Sequence, residues 1–182
     1  MYDYIISAIL LGPSNSGKTT LINTYLKKNL SDYATIGVDF HKIQLNHNNN
    51  FFQLKLWDTG KGLLYRNIID SFLKKANIYI IVNNNTSYDF INQVYETIDY
   101  NNPKLILFIY NKNHNNDNFK YNESFIQQKN TNILIKFFYI NLTKKNEVNL
   151  IFDYIKEYTY NLNNNKHNTI NQENNFSCCS IS

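Results

Sequence analysis

The chain has 182 residues, 43% of them hydrophobic and 18% charged, with a net charge of +4. That suits one domain with a substantial apolar core. No apolar run reaches the ~18–20 residues of a membrane-spanning helix, and the lysine pairs at 27–28, 74–75 and 144–145 make no basic block, so nucleic-acid binding is not expected. Cys178 and Cys179 are the only cysteines. They are adjacent, so no disulfide framework can brace a core, and a reducing compartment is implied. Asparagine makes up about a fifth of the chain, far above ordinary usage, and runs such as 47–50, 83–85 and 163–165 read as loop padding.

In chain order, YIISAILL (4–11) reads as a buried strand; Asp3 and the missing basic n-region argue against a signal peptide. Leu21, Ile22, Tyr25 and Leu26 fall on one helical face. VDFHKIQL and FFQLKLW flank an Asn-rich loop and predict a hairpin. IYIIV (78–82) is a central strand, followed by a helical stripe at Phe90, Ile91, Val94, Tyr95 and Ile98. KLILFIY (104–110) and ILIKFFYI (133–140) are further strands, and Val148, Ile151, Phe152, Ile155 and Tyr158 form a last helical stripe. Alternating strands and helices predict an α/β fold, a mostly parallel sheet covered by helices with one antiparallel pair at an edge. The domain is expected over 1–160. The polar composition of 161–182 predicts a disordered tail.

Between the first strand and the first helix lies GPSNSGKT, residues 12–19. The glycines at both ends of G-x-x-x-x-G-K-[ST] let backbone N–H groups turn toward phosphate oxygens, and the helix N-terminus adds its positive end. Gly12, Ser14, Asn15, Ser16, Gly17, Lys18, Thr19 and Thr20 are the candidate phosphate-binding residues. Lys18 is expected on the β and γ phosphates, and the Thr19 hydroxyl on Mg²⁺. Asp58 closes the strand LKLWD, where a carboxylate can hold the same Mg²⁺ directly or through water. As a lone observation, an Asp after a strand is only a turn residue; the phosphate loop turns it into a metal candidate.

With these motifs in place the sequence resembles the Ras-like small GTPases, and within them the Rab branch. TIGVDF (35–40) is similar to the Rab effector loop, and WDTGKGLLYRNIIDSFLKKA aligns without a gap on the run that begins WDTAGQERF. NKNH (111–114) stands where the family has NKxD, and FFYINLTKKNEV where it has the segment containing SAK. The resemblance covers about residues 4–160. It implies a three-layer P-loop GTPase fold with six strands and five helices, a switch between GTP and GDP, Mg²⁺ on Thr19, Thr35 and Asp58, and a base site at Asn111, Lys112 and His114. It also implies effectors read through 35–40 and 60–72, with Phe40 and Trp57 in the contact surface.

The departures concern chemistry. In the ungapped alignment Lys61 replaces the family's switch-II glycine, and Gly62 its water-orienting glutamine. Glycine has no side chain to orient an attacking water, so no catalytic residue is assigned and hydrolysis is expected to be slow. His114 replaces the aspartate that accepts two bonds from guanine, which weakens the expected selectivity for that base. At the other end, CSIS fits C-a-a-X, and the doubled cysteine resembles the paired-cysteine end of Rabs, so Cys178 and Cys179 are candidate prenylation sites. Two chains hold a membrane where one is marginal.

The leading expectation is a prenylated, slowly hydrolysing GTP-binding switch in vesicle traffic, on the cytoplasmic face of an endomembrane with a cytosolic pool. Its partners would be effectors, prenyl-transfer and membrane-delivery proteins. His114, Lys61 and Gly62 motivate the alternative, a pseudo-GTPase acting as a membrane-anchored binding module independent of nucleotide. An ATP-using P-loop enzyme is a third reading, disfavoured by TIGVDF and the cysteine tail.

Overall fold

The computed structural model describes residues 2, 4–28, 37–60, 71–84, 104–112 and 133–176. Six strands form one sheet: β1 (Tyr4–Leu11), β2 (Val38–His47), β3 (Asn50–Thr59), β4 (Ile78–Asn83), β5 (Leu105–Asn111) and β6 (Leu134–Ile140). Their order is β2-β3-β1-β4-β5-β6. All neighbours are parallel except β2 and β3, which pair antiparallel at the edge. Every residue of β4 and β5 is buried, as expected of central strands covered on both faces.

The hairpin turn corrects one expectation. Asn48 and Asn49 are not padding. They take φ of 50° and 62° and close a two-residue turn, with His47 and Asn50 as the last pair. A type I′ turn matches strand twist and requires both central residues to be left-handed, a conformation that Asn tolerates better than most residues. The Asn50 side-chain amide donates to the Asn48 carbonyl at 3.0 Å.

Helices α1 (Lys18–Leu26) and α2 (Lys145–Phe176) lie against one face of the sheet. Between them, Leu21 and Ile22 of α1 and Val148, Ile151, Phe152 and Ile155 of α2 join Ile6, Ala8, Leu10, Ile80 and Leu107 in one core cluster. Tyr25 and Phe152 stack with ring centroids 3.6 Å apart, locking the two helices together. The opposite face carries a second cluster, with Ile9, Leu11, Tyr79, Ile81, Phe108 and Tyr110 packed on Leu73, which belongs to a helical segment at 71–73. The expected stripe at 90–98 lies outside the described residues.

The last helix is longer than the sequence suggests. It runs to Phe176, beyond the boundary expected at 160. Thr159 and Asn163 are still buried on it. Adding a residue to an existing helix costs far less than nucleating one. The segment holds no glycine or proline to stop it, so the apolar stripe of the first turns carries the polar continuation along.

Candidate nucleotide-binding site

The loop 12–17 leaves the C-terminal end of β1, at the centre of the sheet, and enters α1. Gly12 is demanded by close approach: a Cβ there would stand 2.2 Å from the Val82 carbonyl oxygen. Gly17 is demanded twice. Its φ is 104°, and a Cβ would meet Leu142 Cδ1 at 2.7 Å and Asn111 Nδ2 at 2.9 Å. Between them Asn15 takes a left-handed φ of 60°, so asparagine suits this position in the loop as it does in the hairpin.

Ser14 is exposed at the loop tip, Thr20 is half-buried on α1, and Ser16 is fully buried. The Ser16 N–H donates to the Pro13 carbonyl at 3.3 Å. The Asn84 side-chain amide donates to the Asn15 carbonyl at 2.8 Å, tying the loop to the end of β4. Nothing in the sequence pattern marked Asn84 among so many asparagines.

Lys18 is buried. Its ammonium donates to the Gly12 and Pro13 carbonyls at 2.8 and 2.9 Å, so it lies curled beneath the loop. Burial holds its pKa below the ordinary lysine value, partly opposed by the Asp58 charge. The Thr19 hydroxyl donates to Asp58 Oδ2 at 2.7 Å. Asp58 is fully buried at the end of β3, beside Leu10 of β1. Burial pushes its carboxyl above the usual range, against the Thr19 hydrogen bond and the Lys18 and His41 charges. A buried carboxylate beside a threonine hydroxyl, with a lysine close by, is a hard-oxygen pair that fits Mg²⁺ bound together with phosphate. Thr19 and Asp58 would hold the ion, which would neutralise phosphate charge. Next to them Thr59 donates its hydroxyl to the Leu10 carbonyl at 2.6 Å, and the Gly60 N–H donates to the Gly37 carbonyl at 2.7 Å. The second bond fastens the start of β2 to the end of β3 beside Thr19 and Asp58.

The region expected to meet the base is built around Asn111. Its amide donates to the Ser16 carbonyl at 3.3 Å, and its Oδ1 accepts from the Leu142 N–H at 3.4 Å. Lys112 is exposed just beyond, with its N–H on the Ile140 carbonyl at 2.8 Å. The segment that stands where the family has SAK thus turns its Leu142 N–H to Asn111. The segment is held from three sides. Thr24 of α1 donates its hydroxyl to the Leu142 carbonyl at 2.8 Å. Asn141 Oδ1 accepts from the Thr143 N–H at 2.8 Å, and Glu147 of α2 accepts from the Asn141 N–H at 2.8 Å. That last bond lowers the Glu147 pKa. Leu142 is fully buried with its methyl against Gly17; sequence reading missed this packing role.

On the flank, Phe40 and Trp57 face each other across the hairpin with centroids 6.0 Å apart, and Trp57 meets Phe72 at 4.9 Å. Phe72 extends the expected aromatic surface. Thr35, Lys61, Gly62, His114, Cys178 and Cys179 lie outside the described residues. The structure thus brings together the phosphate loop, Asp58 and Asn111 across three strand ends.

A glycine loop at the C-terminal ends of parallel strands, with a threonine–aspartate pair and an asparagine on the base side, defines a P-loop nucleotide-binding domain of the Ras-like GTPase type. The family model described as "Ras of Complex, Roc, domain of DAPkinase" matches residues 8–117. The chain belongs to this family of the Ras superfamily. Curated relatives include the Ras-related protein YPT3 of Nicotiana plumbaginifolia, 28% identical over 114 residues, which span 59% of this chain and 52% of that protein. The Ras-related protein Rab-11B of Dictyostelium discoideum is 36% identical over 85 residues, spanning 46% of this chain and 39% of that protein. The chain thus matches about half or less of these relatives' length. Among solved structures, the Methanosarcina barkeri Roco2 RocCORdC bound to GDP superposes with a TM-score of 0.67 at 20% identity, covering 85% of this chain and 49% of that one. That likeness concerns the fold.

Proposed function

We propose that the protein is a Rab-like switch that binds GTP and GDP with Mg²⁺, hydrolyses GTP slowly and acts in vesicle traffic. The observation that carries the reading is the 2.7 Å bond from the Thr19 hydroxyl to the buried Asp58 carboxylate, directly under the phosphate loop. Lys18 and the turned backbone of 12–17 would take the phosphates. Asn111 and the Leu142 N–H would meet the base. Slow hydrolysis follows from Gly62, which offers no side chain to the attacking water. Prenyl groups on Cys178 and Cys179 would hold the protein on the cytoplasmic face of an endomembrane, with a cytosolic pool maintained by delivery proteins. Effectors would read Phe40, Trp57 and Phe72. The test is binding of a fluorescent GDP analogue to the purified protein in Mg²⁺ and in EDTA, with GTP and ATP as competitors. The reading expects Mg²⁺-dependent binding and preferential displacement by GTP. No binding in either buffer would sink it.

A second reading rests on His114, which stands where a base-reading carboxylate is expected. A pseudo-GTPase of this kind would bind its partners equally with GDP, with a GTP analogue or with an empty site.

A further inference from the structure

The outer face of β1–β3 carries an unusual set of side chains. Ile43, Leu45, Phe52, Leu54 and Leu56 point into the core, so the alternate residues of each strand face outward. In the hairpin register Lys42 stands directly opposite Lys55. Like charges directly opposite each other on one face destabilise a sheet. Among the described residues neither Lys42 nor Lys55 makes an ion pair; Lys144–Glu147 and Lys156–Asp153 are paired elsewhere. The outward positions of β1, β2 and β3 hold no carboxylate at all.

The lysine pair is bracketed by exposed apolar groups. Phe40 lies on one side, 46% exposed, with the Lys42 ammonium 5.9 Å from its ring centroid. On the other side the Gln44–Gln53 pair comes next, with Ile5 beside Gln53 and Phe51 one pair further along; Ile5 and Phe51 are 49% and 52% exposed. The face thus offers apolar groups at both ends of a polar strip that holds the two lysines.

We propose that this face docks an acidic, apolar-anchored protein segment, whose carboxylate sits between Lys42 and Lys55 and whose apolar side chains rest on Phe40 and on Phe51 with Ile5. The carboxylate relieves the cross-strand repulsion. An anionic membrane fits less well: lipid-binding patches gather about four to eight basic side chains, and this face offers two. The proposal deepens the effector reading by naming the partner's chemistry, and rests on it.

The test is selection of a random peptide library on phage against the intact protein, followed by binding measurements on the selected peptides. The expected result is enrichment of peptides with acidic residues next to apolar ones. Their affinity falls by about tenfold or more in the Lys42→Glu/Lys55→Glu variant and falls again at high salt. The neutral Lys42→Ser/Lys55→Ser variant gives an intermediate loss and, freed of the cross-strand repulsion, melts no lower than the unaltered protein; matching far-ultraviolet circular dichroism spectra of the three proteins show that the fold is unchanged. Selected peptides with no acidic bias, weakened by Phe40→Ala and not by the lysine changes, would overturn the proposal and leave the effector reading standing. Enrichment of no peptide would overturn both. Lysine-dependent retention on phosphatidylcholine/phosphatidylserine vesicles, without acidic peptides, would replace the protein partner by a lipid surface and also overturn it.

Discussion

The Thr19 hydroxyl donates to Asp58 Oδ2 at 2.7 Å, joining the first turn of α1 to the end of β3 inside the protein. The pair keeps a carboxylate buried at an energetic cost that this hydrogen bond only partly offsets. Burial raises the Asp58 pKa from its ordinary 3.8. A raised carboxyl pKa means that the folded state binds protons more readily than the unfolded one. The stability it contributes is present below 3.8 and is lost as pH rises through the elevated folded-state pKa. Asp58→Asn removes that titration. In metal-free and nucleotide-free protein, the melting temperature of the variant relative to the unaltered chain should therefore climb as pH rises from acid to neutral. A difference that shrinks over this range would show that the carboxylate is better satisfied than its burial implies. The same variant should lose Mg²⁺-dependent GDP affinity by about tenfold to a hundredfold, the worth of a hydrogen bond to a charged group.

Gly17 and Leu142 form a lock between the phosphate loop and the base side. Gly17→Ala adds a Cβ at a φ of 104°, 2.7 Å from the Leu142 methyl, and should destabilise the fold by about 1–3 kcal/mol. Leu142→Ala alone opens a cavity and should cost about 2–5 kcal/mol. Together the two changes should cost less than their sum, because the cavity admits the new methyl. Urea unfolding of the four proteins in a double-mutant cycle measures this, and strict additivity would mean that the two sites do not touch.

The Asn84 side-chain amide donates to the Asn15 carbonyl at 2.8 Å and so fixes the peptide at the tip of the phosphate loop. Asn84→Ala removes one hydrogen bond worth about 0.5–1.5 kcal/mol. GDP affinity should fall roughly twofold to tenfold, with little change in the affinity for guanosine, which lacks the phosphates. Titration calorimetry with both ligands separates the two. An equal loss for guanosine would place the role of Asn84 on the base side or in general stability.

Gly62→Gln supplies the side chain whose absence predicts slow turnover. Single-turnover phosphate release should accelerate by at least about tenfold if Gly62 occupies the water-orienting position. An unchanged rate would mean that the ungapped alignment through Lys61 is out of register.

The sheet was legible because its signals are local. β4 and β5 are continuous apolar runs, and the hairpin alternates cleanly between Ile43, Leu45, Phe52 and Leu54 on one side and polar or aromatic residues on the other. The phosphate loop was legible because Gly12, Gly17 and Lys18 each meet a distinct physical demand at fixed spacing. What escaped depends on three-dimensional neighbours. Asn48, Asn49 and Asn84 were hidden among asparagines of no distinct pattern, and only the turn geometry or a carbonyl in reach gives them work. Leu142 looked like part of an eroded base motif, yet its side chain fills the space that Gly17 leaves. The helix α2 runs past the boundary expected at 160, because adding residues to an existing helix costs far less than starting one, a difference that polar composition does not reveal.

Whether the assembled site holds a guanine nucleotide is decided by the nucleotide content of the protein purified in Mg²⁺, released by denaturation and separated by chromatography. Near-stoichiometric GTP plus GDP is expected, with GTP in excess if hydrolysis is as slow as proposed. An empty site that also fails to reload with either nucleotide would contradict the proposed function and leave the Thr19–Asp58 pair a structural remnant.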